Sequence, residues 1–168
     1  MLEELSDHIE SLRRYAFVLC RNHHDADDLV QETLVKAIAA AHTYKTEKKL
    51  RIWLFAILHN NFISSKRQFA RRTRAAAFLD GLAEQDGTVP PQQEKTLEAR
   101  HTVRMMARLS TDQQAALSLI ALEGMPYEEA AEVLDIPVGT LMSRLARGRE
   151  ALRKIMNSKG EARFKVVR

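Results

Sequence analysis

The stretch from Tyr127 to Lys154 limits the fold of this chain most, because it reads as two short helices around a tight turn. Pro126 suits the first turn of the first helix, where its missing N–H would have no helical partner. Asp135 to Pro137 then interrupts the pattern, since proline disfavours helical geometry in the residue before it and permits a new helix to start. The stretch therefore predicts a helix-turn-helix, whose second helix can lie in a DNA groove.

The second helix of this pair has an apolar side and a cationic side, at about 100° per residue. The apolar side collects Leu141, Leu145, Gly148, Leu152 and Ile155. The opposite side collects Ser143, Arg147 and Lys154, with Arg144 on a flank. We expect the first side to pack in a core and the second to meet phosphate groups and base edges.

Composition favours an all-α protein with two small cores. Of the 168 residues only 6% are aromatic, glycine and proline are sparse, and no stretch alternates like a strand. The longest apolar run, Ile52 to Leu58, is too short to span a bilayer, and Glu3, Glu4 and Asp7 stand where a signal peptide would carry cations. We therefore expect a soluble cytoplasmic chain. Cys20 is the only cysteine, which excludes an internal disulfide, and we expect it to be inert in packing.

Positive charge lies in two separate islands along the chain. Residues 45–74 hold nine Lys and Arg against one acidic residue, and residues 140–168 hold nine against two, whereas the flanking segments are acidic. A polyanion is the simplest partner for both islands. The alternative is that each island is only a solvated surface, which two islands on amphipathic helices disfavour.

Turn signals divide the chain into two helical domains, 1–74 and 97–168. Acidic and helix-breaking residues between them predict a flexible linker over 75–96. In the first domain we predict one helix over Leu2–Arg21, a second helix that begins after a cap at Asn22, and a third over Arg51–Arg72. A polar loop at 42–50 separates the second helix from the third. In the second domain we predict a helix that begins near Leu97, and a further helix that begins with a capping box at Ser110 and Gln113 and ends in left-handed geometry at Gly124. The apolar positions expected to pack are Val103, Met106, Ala107, Leu117, Ile120 and Ala121.

The third predicted helix is also two-sided. One side collects Leu54, Leu58, Phe62 and Phe69, and the other collects Asn60, Ser64, Arg67 and Arg71. Trp53 falls near the polar side, where it could stack on a base, although a core role is the alternative we prefer. The second predicted helix has its own apolar side, comprising Ala26, Leu29, Val30, Thr33, Leu34, Ala37 and Ile38.

Four motifs in order resemble those of bacterial sigma factors of the extracytoplasmic-function group, closest to the branch of the alphaproteobacterial general stress response. They are the residues 25–33 (DADDLVQET), 53–60 (WLFAILHN), 127–131 (YEEAA) and 139–145 (GTLMSRL). The resemblance covers nearly the whole chain. It implies a subunit of RNA polymerase that recognises promoters, whose first domain binds the polymerase clamp and opens the minus-10 element while its second domain binds the minus-35 element.

The resemblance also implies roles for particular residues. Asp28, Gln31 and Glu32 would face the polymerase, where an acidic helix can pair with arginines. At the minus-10 element, Asn60 would read a base and the cations would hold backbone; this set is Asn60, Ser64, Lys66, Arg67 and Arg71. At the minus-35 element the set is Thr140, Ser143, Arg144, Arg147 and Lys154. Met142 departs from the family, which usually has Arg or Lys there. An anti-sigma factor is a further expected partner.

Two other classes of function compete with this interpretation. A sigma mimic would keep the fold to occupy an anti-sigma factor without binding DNA, which the two cationic faces disfavour. A metal enzyme could use His23, His24, Asp25, Asp27 and Asp28, but consecutive helix-start positions fan around the axis and do not converge on one ion. We therefore expect no enzymatic activity, no metal and no cofactor.

Overall fold

The computed structural model describes residues 2–80 and 104–165, and in these ranges the chain is helical without a β-strand. This confirms the all-α prediction. The helices are α1 (Leu2–Cys20), α2 (His23–Ala39), α3 (Leu50–Asp80), α4 (Thr111–Leu117), α5 (Tyr127–Leu134) and α6 (Val138–Lys165). A 3-10 turn over Ala41–Thr43 follows α2, and a π-helical turn over Ser118–Leu122 follows α4. None of the helices described is long and apolar enough to cross a membrane.

The first domain is a three-helix unit whose core includes predicted apolar positions of α2 and α3 and, beyond them, Tyr15 of α1 and Phe55 of α3. Arg21, with φ of 64°, ends α1, and the side chain of Asn22 caps α2 by accepting a hydrogen bond from the Asp25 N–H at 2.8 Å. The predicted cap is thus confirmed. The residues that fill this core most completely are Leu12, Tyr15, Ala16, Val30, Leu54, Phe55 and Leu58.

The second domain contains the predicted helix-turn-helix, formed by α5 and α6. Pro126 stands at the N-cap of α5, and Asp135 closes the helix in left-handed geometry with φ of 51°. The capping box of Ser110 and Gln113 and the positive φ of Gly124 are both present as predicted. The buried side chains of the pair are Ala130, Val133, Leu134, Leu141 and Leu145.

Helix α3 is longer than predicted and leaves the core before it ends. It continues to Asp80, eight residues past Arg72, through the helix formers at 75–77 in the segment predicted as linker. The last of its predicted core positions to be buried is Phe62, whereas Phe69 is 69% exposed because it lines an open groove beside Cys20 of α1 and Asp25 of α2 and no described helix covers it. The prediction for Phe69 was wrong. The remainder of the predicted linker, 81–96, and the predicted start of the second domain at Leu97 and Val103 lie outside the described residues.

A π-helical turn changes which residues face the core after α4. The Glu123 N–H donates to the Ser118 carbonyl five residues earlier, so one extra residue is wound into this turn. Ala121, which was expected to pack, is exposed, because the wider winding of this turn no longer follows the 100° spacing from which its side was predicted. Ile38, expected inside on α2, is also exposed, because no described helix covers the outer side of α2 there.

The two domains pack against each other. Helices α1 and α3 of the first domain contact α4, α5 and the π-helical turn of the second. Lys66 on α3 donates a hydrogen bond to the Thr111 hydroxyl at 2.9 Å, and Arg14 on α1 reaches Glu123. This arrangement brings the loop before α3 next to α5.

Gly148 gives a prediction about packing between α6 and α4. A Cβ placed on Gly148 would lie 2.8 Å from Leu117 Cδ1, whereas one on Gly139, in the first turn of α6, meets nothing within 4 Å. We expect Gly148→Val to lower the free energy of unfolding by about 1–3 kcal/mol, since Leu117 is buried and has little room to move. Gly139→Val is the control and should change it by less than about 1 kcal/mol. Urea unfolding measures both; equal losses would contradict the overlap.

His59 gives a second prediction, about pH. The Tyr15 hydroxyl is hydrogen-bonded to His59 Nδ1 at 3.0 Å, and burial lowers the pKa of His59 to about 4. Asp112 raises and Arg144 lowers this pKa by smaller amounts. Between pH 6.5 and 4 the unfolded chain binds a proton that the folded chain does not, so the free energy of unfolding falls as pH falls, by about 3 kcal/mol at most.

The measurement is urea unfolding from pH 7 to pH 4 of the wild type and His59→Gln. The glutamine can still accept from Tyr15 but does not titrate. We expect the wild type to lose more stability than the variant across this range. Parallel curves would show that His59 is not held neutral.

Candidate nucleic-acid interface

The cationic side of α6 lines a groove that it shares with the start of α4. Of the five predicted minus-35 residues, the structure brings Thr140, Ser143, Arg144 and Arg147 together in this groove, and Lys154 is exposed farther along the same helix. From the other side the groove is lined by Ser110, Asp112 and Gln113. The predicted side of α6 is therefore the accessible one, because Leu141 and Leu145 turn the opposite side into the core.

Ser143 and Arg144 of this groove are each held by a contact with a neighbouring group. The Ser143 hydroxyl donates to the Gly139 carbonyl at 3.1 Å, which keeps it close to the helix. Arg144 Nη2 lies 3.3 Å from Asp112 Oδ2, and the arginine side chain is only a quarter exposed. Arg147 and Met142 are both exposed, but only Arg147 lines the groove.

Sequence reasoning missed Asp112 as a member of this groove. Its position in the first turn of α4 has an ordinary explanation, since the helix dipole favours negative charge there. The contact with Arg144 joins residues 32 positions apart, and no local pattern predicts it.

On α3, two neighbouring asparagines have opposite environments. Asn61 is buried and accepts a hydrogen bond from Lys36 Nζ at 2.7 Å, while its amide donates to the Thr33 hydroxyl at 3.3 Å. Asn60 is exposed, as predicted for a side chain that reads a base edge. Helix α3 therefore buries Asn61 in the core of the domain and leaves Asn60 accessible at the surface.

The other predicted minus-10 residues also lie on the exposed side of α3. Ser64, Lys66, Arg67 and Arg71 are all exposed, and Lys66 Nζ lies 5.5 Å from the centre of the Phe62 ring. Trp53 is half-buried against the core and packs on Tyr44 of the preceding loop, with ring centres 5.1 Å apart. This favours the scaffold role for Trp53.

The acidic side of α2 is exposed as the resemblance implies. Asp28 and Glu32 line a shallow groove between α2 and α3, Gln31 is exposed beside them, and Glu32 is ion-paired with Lys36 at 2.6 Å. The aspartates at the start of α2 have separate partners, because Asp25 accepts from Asn22, Asp27 from Arg13, and Asp28 lies near His24. Over the described residues, no group of three or more His, Cys, Asp or Glu side chains could hold a metal ion.

The loop cations and α5 form contacts that the sequence did not predict. Lys48 is ion-paired with Glu132 and Lys49 with Glu129, each at 2.5 Å. Beside them the Glu123 carboxylate, with 1% of its side chain exposed, is bound by Arg14 at 3.1 Å and Arg51 at 3.2 Å. The side-chain hydrogen bond to Glu123 raises the pKa of Arg14. Cations of the first domain are therefore neutralised by carboxylates of the second.

Two family profiles match the chain, one in each domain. The Sigma2 domain of PhyR matches residues 5–59, and sigma-70 region 4 matches residues 102–152. Both matches lie inside the domains predicted from the sequence. The region 4 match contains all of α5 and the first half of α6.

Similar proteins extend over most of the chain. The extracytoplasmic-function RNA polymerase sigma factor EcfG of Rhodopseudomonas palustris is 36% identical over 156 residues, which is 93% of this chain and 84% of that protein. The sigma factor RpoE of Bartonella quintana, solved in complex with the anti-sigma factor NepR, is 34% identical with a TM-score of 0.80, covering 92% of this chain and 95% of that one. The anti-anti-sigma factor PhyR of the same organism, solved with NepR, shares the fold with a TM-score of 0.62 at 16% identity, over 92% of this chain and 50% of that one.

Asp112 generates a prediction for this interface. Asp112→Asn removes a carboxylate that neutralises Arg144, so we expect tighter binding to duplex DNA of random sequence, by about threefold or more. The plot of log affinity against log salt should steepen by about 0.9, the contribution of one additional phosphate contact. Fluorescence anisotropy with a labelled duplex at several salt concentrations measures both.

The control is Asp135→Asn, which makes the same change of charge in the turn before α6 and suits the left-handed backbone there. It should raise affinity less and leave the salt slope nearly unchanged. Equal effects of the two variants would mean that only net charge matters, and that Asp112 does not restrain Arg144.

Proposed function

The chain belongs to the extracytoplasmic-function sigma factors of RNA polymerase, and from this premise we propose that it directs promoter-specific initiation of transcription. The observation that carries the proposal is an exposed cationic helix side in each domain, on α3 and on α6. A protein that recognises two separated promoter elements needs one such surface in each domain. Polymerase core and promoter DNA are therefore the proposed partners, and the cytoplasm the proposed location.

At the minus-35 element, α6 would enter the major groove of duplex DNA. Arg147 and Arg144 provide forked donors suited to guanine edges or phosphate oxygens, and Ser143 permits a close approach of the backbone. Thr140 lies at the N-terminal end of the helix and Lys154 near the DNA backbone in this placement. All of these side chains except the partly buried Arg144 are exposed next to a packed opposite side, which supports the assignment.

At the minus-10 element, α3 and its preceding loop would bind the separated strand. Unpairing costs a few kcal/mol per extruded base, so a protein that opens DNA without ATP must offset that cost by binding the freed strand. Asn60 offers an exposed amide for a base edge, with Ser64 beside it, and Lys66, Arg67 and Arg71 follow the backbone.

The acidic side of α2 would bind the polymerase. Asp28, Gln31 and Glu32 are exposed within one turn of helix, and carboxylates there can accept bidentate hydrogen bonds from arginines of a partner helix. Of the minus-10 candidates only Lys66 lines the groove that contains Asp28 and Glu32, so the surfaces proposed for polymerase and for DNA are largely separate.

The similarity to EcfG and to RpoE bound by NepR supports a role in a stress response under an anti-sigma factor. A second candidate is the sigma mimic, favoured by the match of residues 5–59 to the Sigma2 domain of PhyR. A mimic would need no cationic surface for DNA. The relative that covers 93% of this chain is a sigma factor, which supports initiation over mimicry.

Run-off transcription with core polymerase and a library of promoters tests the proposal. We expect the chain to confer selective start sites on the core enzyme, because it would supply both promoter contacts. No selective product from any template in the library would leave the mimic as the better interpretation, and tight binding of a NepR-type inhibitor would then support it.

Two substitutions separate the proposed contacts. Arg147→Ala should lower duplex affinity and transcription at least tenfold while leaving core binding intact, with Arg149→Ala, on another side of α6, as its matched control. Glu32→Ala should weaken core binding with duplex affinity unchanged, with Glu10→Ala on α1 as control. If each variant behaved like its control, the residue assignments would be wrong even if initiation were observed.

A further inference from the structure

Helix α6 has a third side, distinct from the side that packs in the core and from the side that lines the groove. Gly139, Met142 and Ala146 are spaced by three and four residues, which places them in one row along the helix. All three are exposed, with Met142 exposed by 52%, and a Cβ on Gly139 would meet nothing within 4 Å. We call these three residues the apolar row of α6, because they form an open and uncharged strip on a helix rich in cations.

The apolar row and the cationic residues share the outward side of α6. Leu141 and Leu145, exposed by 0% and 1%, define the direction of the core. At about 100° per residue, Ser143 and Arg147 lie on one side of the direction opposite the core, and the apolar row lies on the other. A surface that approaches α6 from outside therefore meets Arg147 and the apolar row together.

This combination restricts the chemistry of a partner. Arg147 suits an anion, whereas the thioether of Met142 suits an apolar group, because covering it removes apolar surface from water. Duplex DNA offers both, with phosphates along the edges of the major groove and the C5-methyl group of thymine inside it. Among the groups by which base pairs differ in that groove, this methyl is the apolar one. A thymine is therefore the occupant that fits the apolar row.

The position of Met142 along α6 also suits a base contact. The N-terminal residues of a recognition helix are those that contact base edges. Met142 is in the second turn of α6, and Ala146 follows one turn later. Met156 is exposed by 61% on the same helix but lies about 21 Å farther along it, at 1.5 Å per residue. The two methionines therefore differ in their reach to the bases.

We propose that Met142, with Ala146 beside it, reads the C5-methyl group of a thymine in the minus-35 element. The inference rests on the proposed function and adds a base preference to the same site. The methionine side chain is unbranched and polarizable, so it can pack on the methyl in several rotamers. Cytosine at that position would present its N4 amino group to a thioether, which accepts hydrogen bonds only weakly. The row thus selects thymine over cytosine.

Deoxyuridine tests this contact, because it pairs as thymine does and lacks only the C5-methyl group. The protein is the holoenzyme, and the template is a promoter that the wild type selects from the library. Each thymine of the minus-35 element, on either strand, is replaced in turn, and run-off transcription is measured at limiting holoenzyme. We expect a loss of about fourfold at one position, which corresponds to about 0.8 kcal/mol for one buried methyl group.

Three variants assign the loss to its side chain. Met142→Ala should initiate less on the thymine template and equally on the thymine and deoxyuridine templates. Met142→Arg should also ignore the methyl group while it still initiates, since a guanidinium binds phosphate or guanine instead. Met156→Ala is the matched control and should keep the fourfold difference.

The outcomes separate this inference from the proposed function. A fourfold difference that persists in Met142→Ala would overturn the inference, and lower initiation on both templates would then point to a polymerase contact of the row. The inference also fails if the wild type initiates equally with deoxyuridine at every position, or if the promoters that it selects have no constant thymine in the minus-35 element. Absence of initiation by the wild type on every template would instead overturn the proposed function.

Discussion

The carboxylate of Glu123 is the constraint on which the arrangement of the molecule depends. It is almost wholly removed from water and is bound by guanidinium groups from two helices of the other domain. Such a charge is tolerated inside a protein only when its partners are in place, so the domains do not slide past each other without cost. Apolar contacts hold each domain together, whereas this ion pair constrains the orientation of one domain relative to the other.

The ion pairs between the two domains also explain why the net charge of +4 says little about which cations of the chain are available to a partner. Lys48 and Lys49 of the first domain are neutralised inside the molecule by Glu132 and Glu129 of the second. Added salt weakens these largely exposed ion pairs, because such pairs are screened over about 10 Å at moderate ionic strength. The buried pair at Glu123 is screened less, and so remains the more durable part of the contact.

The features that the sequence predicted well are those determined by neighbours along the chain. The helix-turn-helix, the caps at Asn22 and Ser110 and the two-sided helix α6 follow from local spacing and backbone preferences. The exposure of Phe69 and Ile38 did not, since periodicity identifies an apolar side and not whether another helix covers it. The exposure of Asn60, Arg147 and the other candidate residues was predictable; their roles stay predictions. Asp112 and the lysine–glutamate pairs join residues 32 to 84 positions apart, beyond any local pattern.

The π-helical turn has a consequence for the whole molecule. One additional residue within Ser118–Leu122 rotates the residues after the turn by about 100° relative to an unbroken α-helix, and Glu123 is the first of them. The direction of the central carboxylate is thus determined by the local winding of the backbone. A homologue with the same number of residues wound as an unbroken α-helix would keep every side chain of the contact between the domains and still aim its carboxylate elsewhere, so the winding of a single turn decides whether that contact forms, without any change in the contacting amino acids.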